Sequence, residues 1–360
     1  MEERATRVEI NGMGIGGDEP CFVTFEAGPT HQGLESAKRL ARHAKAAGGN
    51  AIKFQVFDPM RLVADPSLPF TYDVLTDRVS GATETVTEPL RDILMRRALS
   101  RDEWRALKLH CDELGLAFFA TACFYDDVDF LVEIGCQSIK IASADVNHLP
   151  FIRYAARTGL CIQLDTGMAS LGEIEIAVDA IRAEGNDQIV IHHCPSGYPA
   201  RVESINLRTI PTIKRLFGCP VAFSDHSPGW DMDIAALTIG ADMLEKTITE
   251  DRTTRSVEHI MSLEPQDMGR FVEIVREIEV ALGSTRRILS DVEKRKRDAI
   301  RRSLHLAHDL PEGHVLSEAD IDYRRPGTGI PPDRLAEVLS RPLVRAKAAG
   351  QRLEWSDLGA

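Results

Sequence analysis

No apolar run in this 360-residue chain approaches the roughly 18 residues that a membrane-spanning helix needs. The opening residues, MEERATRVEI, lack the apolar stretch of a signal peptide. A cytoplasmic protein that does not engage a membrane is therefore expected. Positive charge is scarce too: 43 Lys and Arg stand against 55 Asp and Glu, a formal net charge of −12. That argues against a nucleic-acid partner, which would require a basic footprint. The one basic cluster, EKRKRDAIRR, mixes acids and bases at helical spacing and reads as a solvated helix or linker. There is no Cys-x-x-Cys motif, and seven scattered cysteines fit a reducing compartment better than a disulfide framework.

What the chain does have is a repeated alternation. Runs rich in Val, Ile and Phe, such as CFVTFEAG, AIKFQVF, AFFATAC, SIKIASAD, CIQLDTG, QIVIHHCPS, PVAFSDHS and DMLEKTIT, each lead into an amphipathic helical pattern. Eight such units between Cys21 and Gly283 suit a (β/α)₈ TIM barrel, whose usual length is ~250 residues. An open doubly wound sheet is the rival, but EAGPTHQG after the first strand is not its Gly-x-Gly-x-x-Gly turn. The connection after the second strand, from Asp58 to about Ser100, is long enough for a lid or for small elements of its own. The expected organisation is a barrel domain over 1–285, a linker over 286–302, and a small β-rich domain over 303–360. So small a domain is marginally stable alone.

Barrel active sites lie at the C-terminal ends of the strands. Those ends carry Glu26, Lys53 and Gln55, Thr121, Lys140 with Ser143 and Asp145, Asp165, Ser196, Ser224 with His226, and Glu245 with Thr247. Polar strand ends also arise simply where strands meet solvent. Lys53 and Lys140, however, sit inside apolar runs, where an uncompensated ammonium costs several kcal/mol; two of them point to an anionic ligand. Alternation along the strands groups His192, Cys194 and Ser196 on one face.

Over nearly its whole length the chain resembles the sialic acid synthases, with the related legionaminic and pseudaminic acid synthases. The matching stretches include EAGPTHQGLESAKRL, DTGMASLGEIEIAV, HHCPSGYPA, AFSDHSPG, GADMLEK and SLEP, while RRPGTGI and AGQRLEWSDL resemble that family's antifreeze-like (SAF) domain. The resemblance implies condensation of phosphoenolpyruvate with an N-acetylated amino sugar aldehyde, assisted by a divalent cation, Mn or Mg. It places Lys53, Gln55, Thr121, Lys140, Ser143, Ser196 and Ser224 around the substrates. Glu26, Asp145, Asp165, Tyr198 and His226 fall among the catalytic positions, with His226 as a metal ligand and Glu258 on the sugar. Arg325 would contact the sugar from a partner chain, implying a domain-swapped homodimer.

The sequence departs from the family at several of these positions. Thr247 stands where a second metal-binding histidine is implied, and a hydroxyl is a poor transition-metal ligand. Asp165 replaces a serine that faces phosphoenolpyruvate, putting a carboxylate beside a phosphate, which is repulsive unless the acid is protonated or paired. Asp145 and Glu258 exchange Glu for Asp and Asp for Glu. Two compensations are open: His192 pairing with Asp165, or a relocated metal shared by Asp165 and His226. The expected function is a phosphoenolpyruvate-dependent synthase. The alternatives are an aldolase, lyase or hydrolase acting on a carboxylated sugar without phosphoenolpyruvate, and a non-catalytic binding protein.

Overall fold

The structure is a computed structural model and describes residues 7–360. The chain divides into two compact units, Met1–Gly283 and Ser284–Ala360.

The first unit is a closed barrel of eight parallel strands: β1 Phe22–Glu26, β2 Ala51–Val56, β3 Ala117–Ala122, β4 Ser138–Ile141, β5 Cys161–Asp165, β6 Ile189–His193, β7 Val221–Asp225 and β8 Met243–Thr247. Each strand pairs with its sequence neighbours, and β8 closes on β1 with Met243 opposite Phe22 and Thr247 opposite Glu26. The period of two explains why these segments are buried on both faces. Outward residues such as Val23, Phe25, Ile52, Phe54, Phe118, Ile162, Ile191 and Phe223 form the main core against the helices. Leu34–Ala46 is typical of those helices: it buries Ala37, Leu40, Ala41 and Ala44 on one stripe. Ser100 with Glu103, and Ser170 with Glu173, close capping boxes that fix where two of the helices start.

The inward residues stack in layers. At the N-terminal end the layer is apolar: Phe22, Ala51, Ala117, Phe119, Cys161, Val190, Ala222 and Met243. A hairpin, Val8–Ile10 paired with Met13–Ile15, adds Val8, Ile10 and Ile15 to this cluster and closes that end as a floor. Above it the inward positions turn polar: Thr24, Lys53, Lys140, Gln163, His192, Ser224 and Glu245, all buried.

The long connection after β2 does carry elements of its own. A short helix, Pro59–Leu62, precedes an antiparallel hairpin, Pro69–Leu75 with Thr83–Pro89, and a further helix, Leu90–Met95. Tyr72, Val74 and Val86 of the hairpin pack with Ile93 and with Val257 from the segment after β8, which walls one side of the barrel mouth.

The second unit has its own core around Leu304, Leu306, Leu316, Ile330, Leu343 and Leu353. Its strands are short, Ser303–Leu306 pairing antiparallel with Ile321–Arg324. The mixed-charge segment read as a linker contains the helix Asp291–Ile300 and groups with this unit.

Candidate active site

The polar layer is an ion-pair network. Glu245, inward on β8, receives both lysines: Lys53 Nζ lies 2.7 Å from its Oε1, and Lys140 Nζ lies 2.6 Å from Oε1 and 2.8 Å from Oε2. Lys53 also contacts Glu26, and Lys140 reaches Asp165 Oδ2 at 3.0 Å. Ser224 Oγ donates to Glu245 Oε1 at 3.0 Å. Glu26 Oε1 accepts from Gly28 N at 2.7 Å and from Gln55 Nε2 at 3.5 Å.

The lysines are therefore compensated within the protein, so their burial does not by itself require an anionic ligand. Their shared partner is Glu245, one of the polar strand-end residues, inward on β8. Alternation on β8 explains its neighbour as well. Lys246 points outward, to Asp225, to Asp233 at 3.3 Å and to the Ser227 carbonyl at 2.7 Å.

Charge in the network is shared unevenly. Burial would raise the Glu245 carboxyl, but Lys140 and Lys53 outweigh it and hold it well below the usual carboxylate range. Burial works against the Lys140 ammonium, yet Asp165 and Glu245 keep it above its ordinary value. Lys53 is pushed down by burial despite Glu245. Asp165 moves the other way: burial raises its carboxyl against the pull of Lys140. Two ammonium groups thus face three carboxylates, Glu26, Asp165 and Glu245, and Asp165 is the one driven toward its neutral form.

His192 is neutral, because burial and then Lys140 press its imidazole far down. Its Nε2 meets Gln163 Oε1 at 2.9 Å, so Nε2–H donates and Nδ1 is left as an acceptor. Nδ1 faces Asp165 Oδ1 at 3.7 Å, and both atoms are buried without a hydrogen-bond partner. The two residues do adjoin, but the charge that neutralises Asp165 belongs to Lys140.

Above the network a cavity of about 330 Å³ opens at the C-terminal ends of the strands. It brings together Glu26, Lys53, Gln55, Thr121, Ser143, Asp145, Asp165, Tyr198, Ser224, His226 and Glu258 of the expected residues, and adds Cys194, Glu245 and Arg97. Lys140 lies directly beneath, fully buried. Ser143 and Asp145 sit on a short 3₁₀ turn after β4, where Ser143 Oγ accepts from Gly167 N at 2.9 Å. Burial raises the Asp145 carboxyl, with His148 pulling the other way.

Ser196 is not part of this cavity. Strand β6 ends at His193, so alternation does not carry to Ser196, which is exposed. Arg325 is exposed in the second unit.

The Tyr198 ring lies 4.7 Å from that of His226, centroid to centroid, and burial pushes its phenol up. His226 Nδ1 is 3.1 Å from the Pro195 carbonyl and 4.0 Å from Cys194 Sγ. Burial alone would lower the His226 imidazole. The Cys194 sulfur, then Glu258 and the Pro195 carbonyl, outweigh it and hold the ring up at about 10.

These residues do not fit a two-histidine cation site. Thr247, buried at the end of β8, turns its Oγ1 toward Glu258 Oε2 at 3.5 Å. Glu258 itself is held in the left-handed region, φ 74°, an uncommon conformation for a side-chain-bearing residue. Among the described residues no three His, Cys, Asp or Glu side chains converge as a metal-binding group.

A TIM barrel with a lysine–carboxylate layer at its strand ends, followed by a small β-rich unit, defines a class of barrel enzymes. Residues 40–287 match the NeuB family and 301–359 match the SAF domain; the chain belongs to the NeuB family. It is 33% identical over 358 residues to the N,N'-diacetyllegionaminic acid synthase of Legionella pneumophila, covering 98% of this chain and 99% of that protein. It is 30% identical over 337 residues to the human N-acetylneuraminate-9-phosphate synthase, covering 92% and 91%. Among solved structures, the N-acetylneuraminic acid (sialic acid) synthetase of Leptospira borgpetersenii superposes with a TM-score of 0.71 at 28% identity, covering 82% of this chain and 96% of that one.

Proposed function

We propose that this chain condenses phosphoenolpyruvate with the aldehyde of an N-acetylated amino sugar or a related acceptor, giving a nonulosonic-acid-type 2-keto acid and phosphate. The observation that carries this reading is the buried Lys53–Glu245–Lys140 network under the mouth cavity of a NeuB-family barrel. In balanced form, C3 of the enolpyruvyl group bonds to the aldehyde carbon, water adds at C2, and the bond from C2 to the phosphate oxygen breaks. The aldehyde oxygen takes up a proton and phosphate leaves. The lysines hold the donor's anionic groups, with Thr121, Ser143 and Ser224 supplying hydroxyls. Glu26 receives the proton of the attacking water. His226, fixed through Nδ1, offers a cationic Nε2–H to the oxygen that gains charge. A divalent cation, where one binds, would serve as a Lewis acid at the aldehyde; no step here depends on it.

The same reading takes Arg325 as a contact to the sugar from a partner chain in a homodimer, which sedimentation at micromolar concentration checks. It also takes the protein as cytoplasmic, in line with its seven free cysteines. One observation favours a second reading. The network already carries an excess carboxylate, so an aldolase, lyase or hydrolase acting on a carboxylated sugar without phosphoenolpyruvate would meet less repulsion.

Phosphate release separates the two. Phosphoenolpyruvate is offered with a panel of neutral, phosphorylated and carboxylated sugar aldehydes, with and without manganese. The first reading expects release together with a product of combined mass. No release with any acceptor sinks it.

A further inference from the structure

Arg97 follows the helix Leu90–Met95 in the long connection after β2. It is only 9% exposed, yet its Nε and Nη1 are buried with no hydrogen-bond partner. Every other buried lysine or arginine among the described residues has a carboxylate: Lys53, Lys108, Lys140 and Lys246 are all ion-paired, and Arg97 is not. Glu258 attracts the guanidinium and Arg96 repels it. Glu258 acts on it without a direct ion pair, its Oε2 standing 3.5 Å from the Thr247 hydroxyl, and Arg96 is bound to Glu88. The Phe57 ring, 5.8 Å from the guanidinium carbon, lies at the edge of cation–π range. A lysine so placed would shed its proton, but an arginine keeps its charge.

Arg97 also borders two spaces. It lines the mouth cavity with Lys53, Glu26 and His226. On its other side is a recess of about 410 Å³ that also has His31, Gln32, Arg96, Arg255 and His259 in its walls. His31 and His259 are held neutral there by burial. A planar fork of N–H donors, desolvated and with no carboxylate in direct contact, matches a carboxylate or phosphate oxygen pair.

We infer that Arg97 is a specificity-determining residue that reads an anionic substituent, carboxylate or phosphate, on the acceptor sugar. The inference rests on the condensation proposed above for the identity of the acceptor. An acceptor without that charge leaves the guanidinium unpaired in the closed complex, and sites built around a buried polar partner reject analogues that lack it.

The test uses three probes: a neutral N-acetylated aminohexose, its 6-phosphate and the corresponding 6-uronic acid. Titration calorimetry without phosphoenolpyruvate measures binding to the full-length wild type, Arg97→Met and Arg97→Lys. Wild type is expected to bind one of the two anionic probes about 100-fold more tightly than the neutral one. Which of the two it is identifies the group. Arg97→Met is expected to reduce that preference to within about threefold, and Arg97→Lys, whose buried amine sheds its proton, to reduce it nearly as far near neutral pH. Because no protein partner is lost, the melting temperature of Arg97→Met is expected to equal or exceed that of wild type. Equal affinity of wild type for all three probes, a preference that survives Arg97→Met, or a lower melting temperature for Arg97→Met would each overturn the inference. In turnover assays the same variant is expected to raise KM for the anionic acceptor far more than it lowers kcat. Absence of phosphate release with every acceptor would overturn the condensation while leaving the binding result to judge Arg97.

Discussion

The carboxylate of Asp165 lies 3.0 Å from Nζ of Lys140, inside a layer where Glu245 already satisfies the same ammonium. Lys140 is thereby neutralised twice, and a third negative charge brought by a substrate meets an occupied cation. Burial drives Asp165 toward protonation, and in the proposed reaction loss of its charge would make room for the donor's phosphate.

Affinity for phosphoenolpyruvate should accordingly fall as pH rises and Asp165 ionises, because its carboxyl sits above the usual carboxylate range and its neutral form belongs to the low-pH side. Asp165→Ser is expected to tighten phosphoenolpyruvate binding by about tenfold, one pKa unit's worth of interaction, and to flatten that pH dependence. Calorimetric titration at several pH values reads both effects. A steeper pH dependence in Asp165→Ser than in wild type would contradict the assignment.

Glu245→Ala leaves Lys53 with Glu26 alone and Lys140 with Asp165 alone. Breaking a buried pair strands charge in a low-dielectric interior and costs about 3–5 kcal/mol. The expected result is a lower urea midpoint at unchanged m-value. A loss under about 1 kcal/mol, the size of an exposed pair, would mean that the network is hydrated.

Thr247→His places an imidazole beside Glu258 and in reach of the cavity that His226 lines. The variant is expected to bind Mn²⁺ at least about tenfold more tightly than wild type, since imidazole is a far better ligand than a neutral hydroxyl. Calorimetry with the metal alone is the readout. Equal affinities would show that the wild-type residues already supply a complete set.

His226 stays protonated up to about 10, so its cationic form is the one present below that pH. In the proposed reaction, turnover should hold level through neutral pH and fall as pH rises through about 10. His226→Gln should lower kcat by about 100-fold, the lower range for general acid catalysis, and remove that alkaline limb. A rise in activity on the alkaline side would require the neutral ring instead.

In the second unit, Asp320 accepts from Ser317 N at 2.8 Å, from Ser317 Oγ at 2.7 Å, and from His308 and His314 at 2.8 and 3.0 Å. Burial would raise this carboxyl, but the Ser317 bonds and then the histidines hold it well below its ordinary value. Its contribution to stability is therefore complete above the ordinary carboxylate pKa of about 4 and is lost as pH falls below it. Asp320→Asn is expected to cost roughly 2 kcal/mol at neutral pH and to weaken the acid sensitivity of unfolding followed at Trp355. An unchanged acid midpoint would assign that sensitivity elsewhere.

The barrel was legible because the strands carry unbroken β-branched and aromatic runs of period two, and the helices carry a single apolar stripe. Most of the cavity residues were legible for the same reason, since strand ends fix position and parity fixes side. Ser196 was misplaced where that logic stopped, three residues beyond the end of β6 at His193. Glu245 was legible as a polar strand end, but its place between the two lysines was not, because only closure of β8 on β1 brings it over Lys53. Arg97 was invisible for a different reason. It lies in RRAL, within a connection that has no barrel periodicity, and nothing local distinguishes it from Arg96, which is exposed to solvent and bound to Glu88.

The hairpin floor made by Val8, Ile10 and Ile15 has a consequence for protons as well as for packing. A vessel sealed at the bottom exchanges water only over its rim. Once a ligand covers the mouth, the hydrogens inside can be redistributed among Asp165, Glu245, Glu26 and the lysines but not replenished. In the proposed reaction, a proton that Glu26 takes from water must therefore pass to the ligand or to another group of the layer before the mouth reopens.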